Sequence, residues 1–402
     1  MECGRPCHAP PLRKPDHAQF MKFAFVSANQ GGGGSEELWV QTAGRLQAMG
    51  HAVLALTEWK AGAQRRVKQL AAMGVAHESV DRSGKRAVLD KVWERVSGGA
   101  PWRLRHLKAE LKRHAPDLVI FNSGTLVDGI PLLEVIQAEG LPCVVVTHLV
   151  STDNWPEDAL AERIHLAYAS ALEACFVSEH NRELCARQTG RRLSNAQIVR
   201  NPFLVSGEAQ PIPALSADAP VKLALPARLH PKTKGHDMLF EVLARPEWRE
   251  RRIQVSLFGN GGCERTLRAL CEELQITDKI IFAGHVDDME AVWREHHGLL
   301  LPSRHEGLPI ALIEAMWAGR VVIATPAGGM AEMLVPGQTG FLASACDANA
   351  LHAVMDEAWS LRERWEAMGV AGRGVVQARI PAAPVMVWAE HLLELAARSG
   401  RL

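Results

Sequence analysis

The sequence predicts an α/β protein of two domains, each built on a parallel sheet, with the two sheets facing each other across a cleft. Three observations carry this prediction. From residue 21 onward, short β-rich apolar runs alternate with helix-length amphipathic segments, the pattern of repeated βαβ units. A proline-rich stretch at 200–220 interrupts the alternation, which then starts again. At 402 residues the chain also exceeds what one ordinary core holds.

The elements follow in order. In the first half, strands are expected at 22–28, 52–56, 117–121, 142–147 and 173–178, with a helix at 36–49 that sets Trp39, Ala43, Leu46 and Met49 on one side. In the second half, strands are expected at 221–227, 253–258, 279–282, 298–301 and 321–324. Helices fall between them at 235–244, 263–274, 287–296 and 310–319, and two long helical patterns close the chain at 347–367 and 385–399. The division read from this is an extension at 1–20, an N-terminal domain at 21–205, a C-terminal domain at 206–384 and a final segment at 385–402. Ligands of such sheets bind beyond the carboxyl ends of the strands.

Composition narrows the function classes. Lys and Arg number 45, as do Asp and Glu, so no global field gathers nucleic acid, and none is expected as a partner. The cysteines at 3, 7, 143, 175, 185, 263, 271 and 346 include no CxxC pair, which points to reduced thiols and a cytoplasmic setting. No apolar run approaches the roughly 20 residues that span a bilayer. Residues 1–20 lack the apolar core of an export signal and are rich in proline and basic groups, so they read as a disordered extension before Met21 opens the first strand.

The strongest motif lies at 298–332. A strand ends at Pro302-Ser303, a loop delivers Glu306, and Gly307-Leu308-Pro309 opens a helix that carries Glu314. Pro309 suits a first helical turn because its missing N–H is not needed there. The free N–H groups at that start form an anion site suited to a diphosphate. Glu306 and Glu314 are eight residues apart, about 12 Å at helical rise. One carboxylate can then meet hydroxyls on each side of a bound diphosphate, Glu314 on ribose and Glu306 on a sugar. A second motif, 221–239, ends a strand at Arg228 and leads through a basic loop to Lys234-Gly235 and a new helix.

The string E-G-L-P-x-x-x-x-E-A-M-x-x-G, followed by the Thr325 to Glu332 loop with its Gly328-Gly329 pair, resembles the Glu-x7-Glu region of retaining family-4 glycosyltransferases. The resemblance is dense over 221–343 and loose in the N-terminal half. It implies the GT-B fold, two Rossmann-like domains with the last helix crossing back to the first domain. It also implies transfer of a hexose from a nucleoside-diphosphate sugar to an acceptor hydroxyl with retention of anomeric configuration. The co-substrate would be a UDP- or GDP-sugar, and neither a bound cofactor nor a metal is expected. The acceptor would be a glycan, a glycolipid or a small molecule.

The resemblance also assigns roles. Arg228 and either Lys232 or Lys234 would grip the diphosphate, with Gly235 favouring Lys234. Gly259, Val286, Gly307, Leu308 and Pro309 would line the donor site, Val286 near the base. Glu306 would stand at the reacting sugar, and His148, at the end of a strand, would contact that sugar, although a structural histidine explains that position equally well. Gly33, Gly34 and Ser35 would form the acceptor or phosphate loop. The rival reading of that loop, a dinucleotide fingerprint, fails because the third glycine of G-x-G-x-x-G is replaced by Glu36 or Glu37.

Two basic segments, 60–73 and 102–114, suit either peripheral contact with the inner face of a membrane or solvated outer helices of the sheet, and the second reading is preferred. Rival functions are an epimerase or phosphorylase of the same fold and a two-lobed sugar-binding protein.

Overall fold

A computed structural model describes residues 20–29, 33–59, 64–80, 101–205, 210–216 and 218–400. The extension expected at 1–20 lies outside the described residues except for Phe20. The first sheet contains β1 (Lys22–Ser27), β2 (Ala52–Thr57), β3 (Ala76–Ser79), β4 (Leu118–Ser123), β5 (Cys143–Thr147), β6 (Glu173–Phe176) and β7 (Ala196–Ile198). The second contains β8 (Val221–Pro226), β9 (Ile253–Phe258), β10 (Ile280–Gly284), β11 (Gly298–Leu301), β12 (Val321–Ala324) and β13 (Phe341–Leu342).

Both sheets are parallel, in the orders β3-β2-β1-β4-β5-β6-β7 and β10-β9-β8-β11-β12-β13. Each order reverses once, between β1 and β4 and between β8 and β11. Those reversals are where two neighbouring strand ends diverge and leave a crevice for ligand. The architecture is GT-B: two Rossmann-like domains, each with a parallel sheet.

The central strands β4, β5, β11 and β12 are buried along their whole length. Strands covered on both faces read as continuous apolar runs, so all four were legible. The strands β3, β7 and β13 were not expected. They are two to four residues long and lie at or near sheet margins, and β3, with the sequence AHES, has no apolar run to announce it.

The pattern at 347–367 is not one helix. It divides into Ala348–Ser360 and Trp365–Arg379, with a 3-10 turn at Arg362–Arg364 between them. The second helix runs on through Gly369, Gly372 and Gly374, which read as helix breakers. Packing explains at least one of them, since a Cβ at Gly369 would run into the Gly319 carbonyl oxygen. The glycine allows this helix to lie directly on the turn before β12.

One apolar cluster joins both sheets. It runs from Phe25 and Trp39 through Val177 to Leu301, Leu308 and Met316, so the floor of the cleft is a shared core. The last helix, Pro384–Ser399, packs on the Glu37–Ala48 helix and β4, and His391 Nε2 lies 2.7 Å from Glu173 Oε2 in β6. No helix among the described residues is long and apolar enough to cross a membrane. On the Trp102–His114 helix, Leu107 and Leu111 are buried, while Lys108 and Lys112 pair with Glu139. This is the arrangement of an outer helix with its basic side solvated.

Candidate active site

The loops after β8 and β11 meet at the reversal of the second sheet. A four-residue helix, Pro231–Lys234, ends at Gly235 with φ of 65°. A Cβ there would run into the Pro302 carbonyl oxygen, so glycine is required on both counts. The close approach lets Lys234 Nζ donate to Glu306 Oε1 at 2.6 Å, while Ser303 Oγ donates to the same oxygen at 2.7 Å. Glu306 is 8% exposed. Lys232, by contrast, points outward and pairs with Asp153 of the first sheet's loops at 3.4 Å. Of the two lysines, Lys234 is therefore the one held against Glu306. Arg228 is exposed at the mouth of the same loop.

A buttress that sequence reasoning missed fixes this loop. Arg304 donates to Asp237 through both terminal nitrogens, at 2.8 and 2.7 Å, and to the Pro231 carbonyl at 3.0 Å. Burial opposes ionisation of Asp237, yet the guanidinium holds its carboxyl below the usual range. Asp237 directly follows the Lys-Gly-His stretch, but no pattern in the sequence signals that it pairs with Arg304.

Pro309 precedes the Ile310–Trp317 helix in extended conformation. Leu308 is buried, and a Cβ at Gly307 would run into the His148 carbonyl oxygen. The backbone of the first domain thus rests on the loop after β11. Beneath it, Gly328 adopts φ of 59°, and Gly329 N donates to Gly307 O at 2.7 Å.

His148 is 6% exposed, and neither ring nitrogen has a partner. Burial alone lowers its pKa to about 4, so the imidazole is neutral at ordinary pH. Asn181 Nδ2 donates to the His148 carbonyl at 3.2 Å and fixes the backbone.

Glu314 lies deeper, 3% exposed, where its Oε1 accepts the Leu204 N–H of the interdomain linker at 2.9 Å. Burial first, and the Glu37 carboxylate to a lesser degree, raise its pKa to about 7 against the hydrogen bond from Leu204. The carboxylate is thus tied to the linker as well as to the Ile310–Trp317 helix.

Two further glycines shape the second sheet's end. Cβ atoms at Gly259 and Gly261 would meet the carbonyl oxygens of Ala227 and Leu229, so the loop after β9 packs directly on the Arg228 loop. Val286 is partly buried against the shared core.

On the first sheet's side, Gly33 and Gly34 lead into a 3-10 turn. A Cβ at Gly34 would sit 2.9 Å from Ile310 Cδ1, which places this loop over the first turn of the Ile310–Trp317 helix. Ser35 Oγ accepts from Asn29 Nδ2 at 2.6 Å. Glu36, a residue sequence reasoning did not single out for a role, is 1% exposed and accepts the indole N–H groups of Trp39 and Trp59 at 2.9 and 3.1 Å. Burial raises its pKa to about 7 despite those bonds.

His305, beside Glu306, was also missed. It hydrogen-bonds Ser151 Oγ at 3.0 Å and lies 3.2 Å from Asp153 Oδ2, across the domain boundary. Its partners lie more than 150 positions away, so nothing local marks it.

Solved structures of GT-B enzymes share this fold along nearly the whole chain. HepE from Anabaena in complex with UDP superposes with a TM-score of 0.73 at 16% identity, covering 94% of this chain and 100% of that one. TarM of S. aureus superposes with a TM-score of 0.69 at 12% identity, covering 94% and 99%.

The family match falls on the half that holds the Lys234–Glu306 pair: residues 220–360 match the family described as glycosyl transferases group 1. Among curated relatives, the GDP-mannose-dependent alpha-(1-6)-phosphatidylinositol monomannoside mannosyltransferase of Mycolicibacterium smegmatis is 31% identical over 169 residues, 39% of this chain and 43% of that protein. The putative colanic acid biosynthesis glycosyltransferase WcaL of Salmonella typhimurium is 32% identical over 146 residues, 34% and 36% of the two chains. Each of these matches spans less than half of the relative's length.

Proposed function

We propose that the protein is a retaining glycosyltransferase of family 4, moving a hexose from a UDP- or GDP-sugar to an acceptor hydroxyl in polysaccharide or glycolipid synthesis. The observation that carries this reading is the Lys234–Glu306 pair, set at the β8/β11 reversal, with the His148 carbonyl of the first domain packed on the adjacent Gly307. The donor diphosphate takes the start of the Ile310–Trp317 helix, where free N–H groups and the helix dipole favour an anion. Arg228 and Lys234 then stabilise the charge that grows on it as the sugar departs. On arrival of the donor, Lys234 shifts from Glu306 towards phosphate and leaves the carboxylate free for the sugar.

A neutral His148, with both ring nitrogens unpartnered, can accept from one sugar hydroxyl and donate to another group. The acceptor oxygen attacks from the face the diphosphate leaves, and the departing phosphate takes its proton. Residues 21–205 supply the acceptor side, with the Gly33–Ser35 loop lying over the donor helix, and 206–384 supply the donor side. Nucleotide sugars place the reaction in the cytoplasm, with the acceptor in solution or presented at the inner membrane face. The relatives named for GDP-mannose and the neighbour solved with UDP support either base without choosing between them.

The test is a panel of UDP- and GDP-sugars, first by thermal shift and slow donor hydrolysis, then with acceptors and NMR of the product's anomeric proton. A product with the donor's configuration at the anomeric carbon is expected. An inverted linkage sinks the retaining mechanism, and release of an epimerised nucleotide sugar sinks transfer itself.

A further inference from the structure

Outside the cleft, on the first domain, lies a groove of about 380 Å³ between the Asp158–Ala169 helix and the end of the Glu179–Thr189 helix. Trp155 forms one wall and is 57% exposed. An exposed indole offers a flat apolar face with a polar N–H at its edge, a combination enriched at binding interfaces. The remaining walls are polar: Asp158, Glu162 and His165 on one helix, Arg187 and Gln188 on the other. Gln188 is 4% exposed and donates through Nε2 to the Ser151 carbonyl at 2.8 Å, while its Oε1 is buried without a partner. His165 Nδ1 is likewise buried and unpartnered.

We propose that this groove is an accessory carbohydrate-binding subsite that holds a distal part of an extended acceptor glycan. The inference rests on the proposed transferase reading for its purpose, but not for its ligand class. A pyranose ring has an apolar C–H face and an equatorial rim of hydroxyls, which together match one flat indole ringed by carboxylate, amide and guanidinium groups. Donor hydroxyls pressed on the groove floor would complete the unmade bonds of Gln188 and His165. Arg187 and Arg191 are balanced by Asp158 and Glu162 in the lining, so the groove carries no net positive charge to draw an anionic lipid surface. The volume lies within the range of small-ligand sites.

The groove is tied to the reaction cleft by a single short loop. Ser151, held by Gln188 on the groove side, hydrogen-bonds His305 on the cleft side. Trp155 follows four residues later, at most about 14 Å of extended chain. A glycan resting on Trp155 can therefore reach round the rim and present a nearer unit to the cleft. Such tethering raises the local concentration of acceptor ends without touching the chemistry.

The experiment uses the full chain. Wild type, Trp155→Ala and Trp155→Phe are applied to an array of immobilised oligosaccharides without nucleotide, and in parallel to vesicles of phosphatidylcholine with phosphatidylglycerol. Because Trp155 is exposed, melting temperature and nucleoside diphosphate binding serve as controls for an intact fold. Wild type is expected to retain oligosaccharides that Trp155→Ala binds at least tenfold more weakly, with Phe restoring most of the difference. Once an acceptor is known, Trp155→Ala should raise KM about tenfold for extended acceptors and leave KM for a single-unit acceptor and kcat unmoved. Equal retention of every glycan by wild type and Trp155→Ala overturns the proposal, as does loss of vesicle binding alone. Glycan binding lost in Trp155→Ala, in a protein that transfers no sugar, keeps the subsite and removes the transferase reading.

Discussion

The loops at the end of the second sheet and those at the end of the first differ in how they are built. After β8 and β11, the site comes from two contiguous stretches, 221–239 and 298–332, in which glycines let backbone lie against backbone at Gly235, Gly307 and Gly328. After β1, β4 and β5, the counterpart is a set of single residues from distant positions: Gly34 over Ile310, His148 over Gly307, Ser151 against His305. A site made of close backbone approaches leaves a residue-by-residue mark, because no other residue type fits. A site made of side chains meeting across a domain boundary leaves none. The comparison also separates what each side does. The second sheet's loops are braced by Arg304 and Asp237, whereas the first sheet's loops combine bonds of their own, from Asn181 to the His148 carbonyl and from Gln188 to the Ser151 carbonyl, with contacts to the second domain.

The largest expected effect that tests this contrast is at Glu306. Glu306→Gln keeps size and the Ser303 contact but removes the charge proposed to stand beside the sugar. Turnover should fall by one to several orders of magnitude, while calorimetry finds nucleoside diphosphate binding nearly intact. Equal turnover in the variant would break the assignment of the donor side.

Glu314→Ala should act differently, because it removes the proposed ribose contact and releases the Leu204 N–H. Binding of donor and of free nucleotide should weaken together, by roughly ten- to a hundredfold for a charge-assisted bond of about 1.5–3 kcal/mol. Loss of turnover with unchanged nucleotide affinity would place Glu314 with the linker rather than with the ligand.

The buried glutamates sharpen the comparison through pH. Glu314, with its carboxyl raised from 4.5 to about 7, binds more protons folded than unfolded. Its contribution to stability is therefore full below pH 4.5 and falls as pH rises through 7, by about 3 kcal/mol at 1.36 kcal/mol per unit. Glu36, raised to about 7 on the first-domain side, has the same sign. Chemical denaturation at pH 5 and pH 8 should show wild type losing stability with rising pH. Glu314→Gln and Glu36→Gln should each flatten that loss. A steeper loss in either variant would contradict the sign.

The smallest effect is at the glycines. Gly307→Ala forces the first domain off the donor loop and should cost about 1–3 kcal/mol, read as a lower melting temperature and weaker turnover. Gly262→Ala, with nothing within 4 Å of an added Cβ, should leave the melting temperature unchanged. Similar behaviour of the two variants would show that the domains do not rest on each other through Gly307.

By itself the sequence determined the two-sheet class, ten of the thirteen strands among the described residues, and the placing of Glu306, Lys234 and Gly307 in loops that follow strands. Period, burial and glycine requirement are written locally, in the order of the chain. The tertiary structure alone decided the rest. It set Lys234 rather than Lys232 against Glu306, because only the former reaches that carboxylate once Gly235 closes on Pro302. It split 347–367 and carried the next helix through three glycines, because Gly369 packs on Gly319. It brought His305 to Ser151 and Glu314 to Leu204, contacts between residues more than 100 positions apart. Such contacts depend on how two folded surfaces meet. Local propensity and spacing do not encode that meeting.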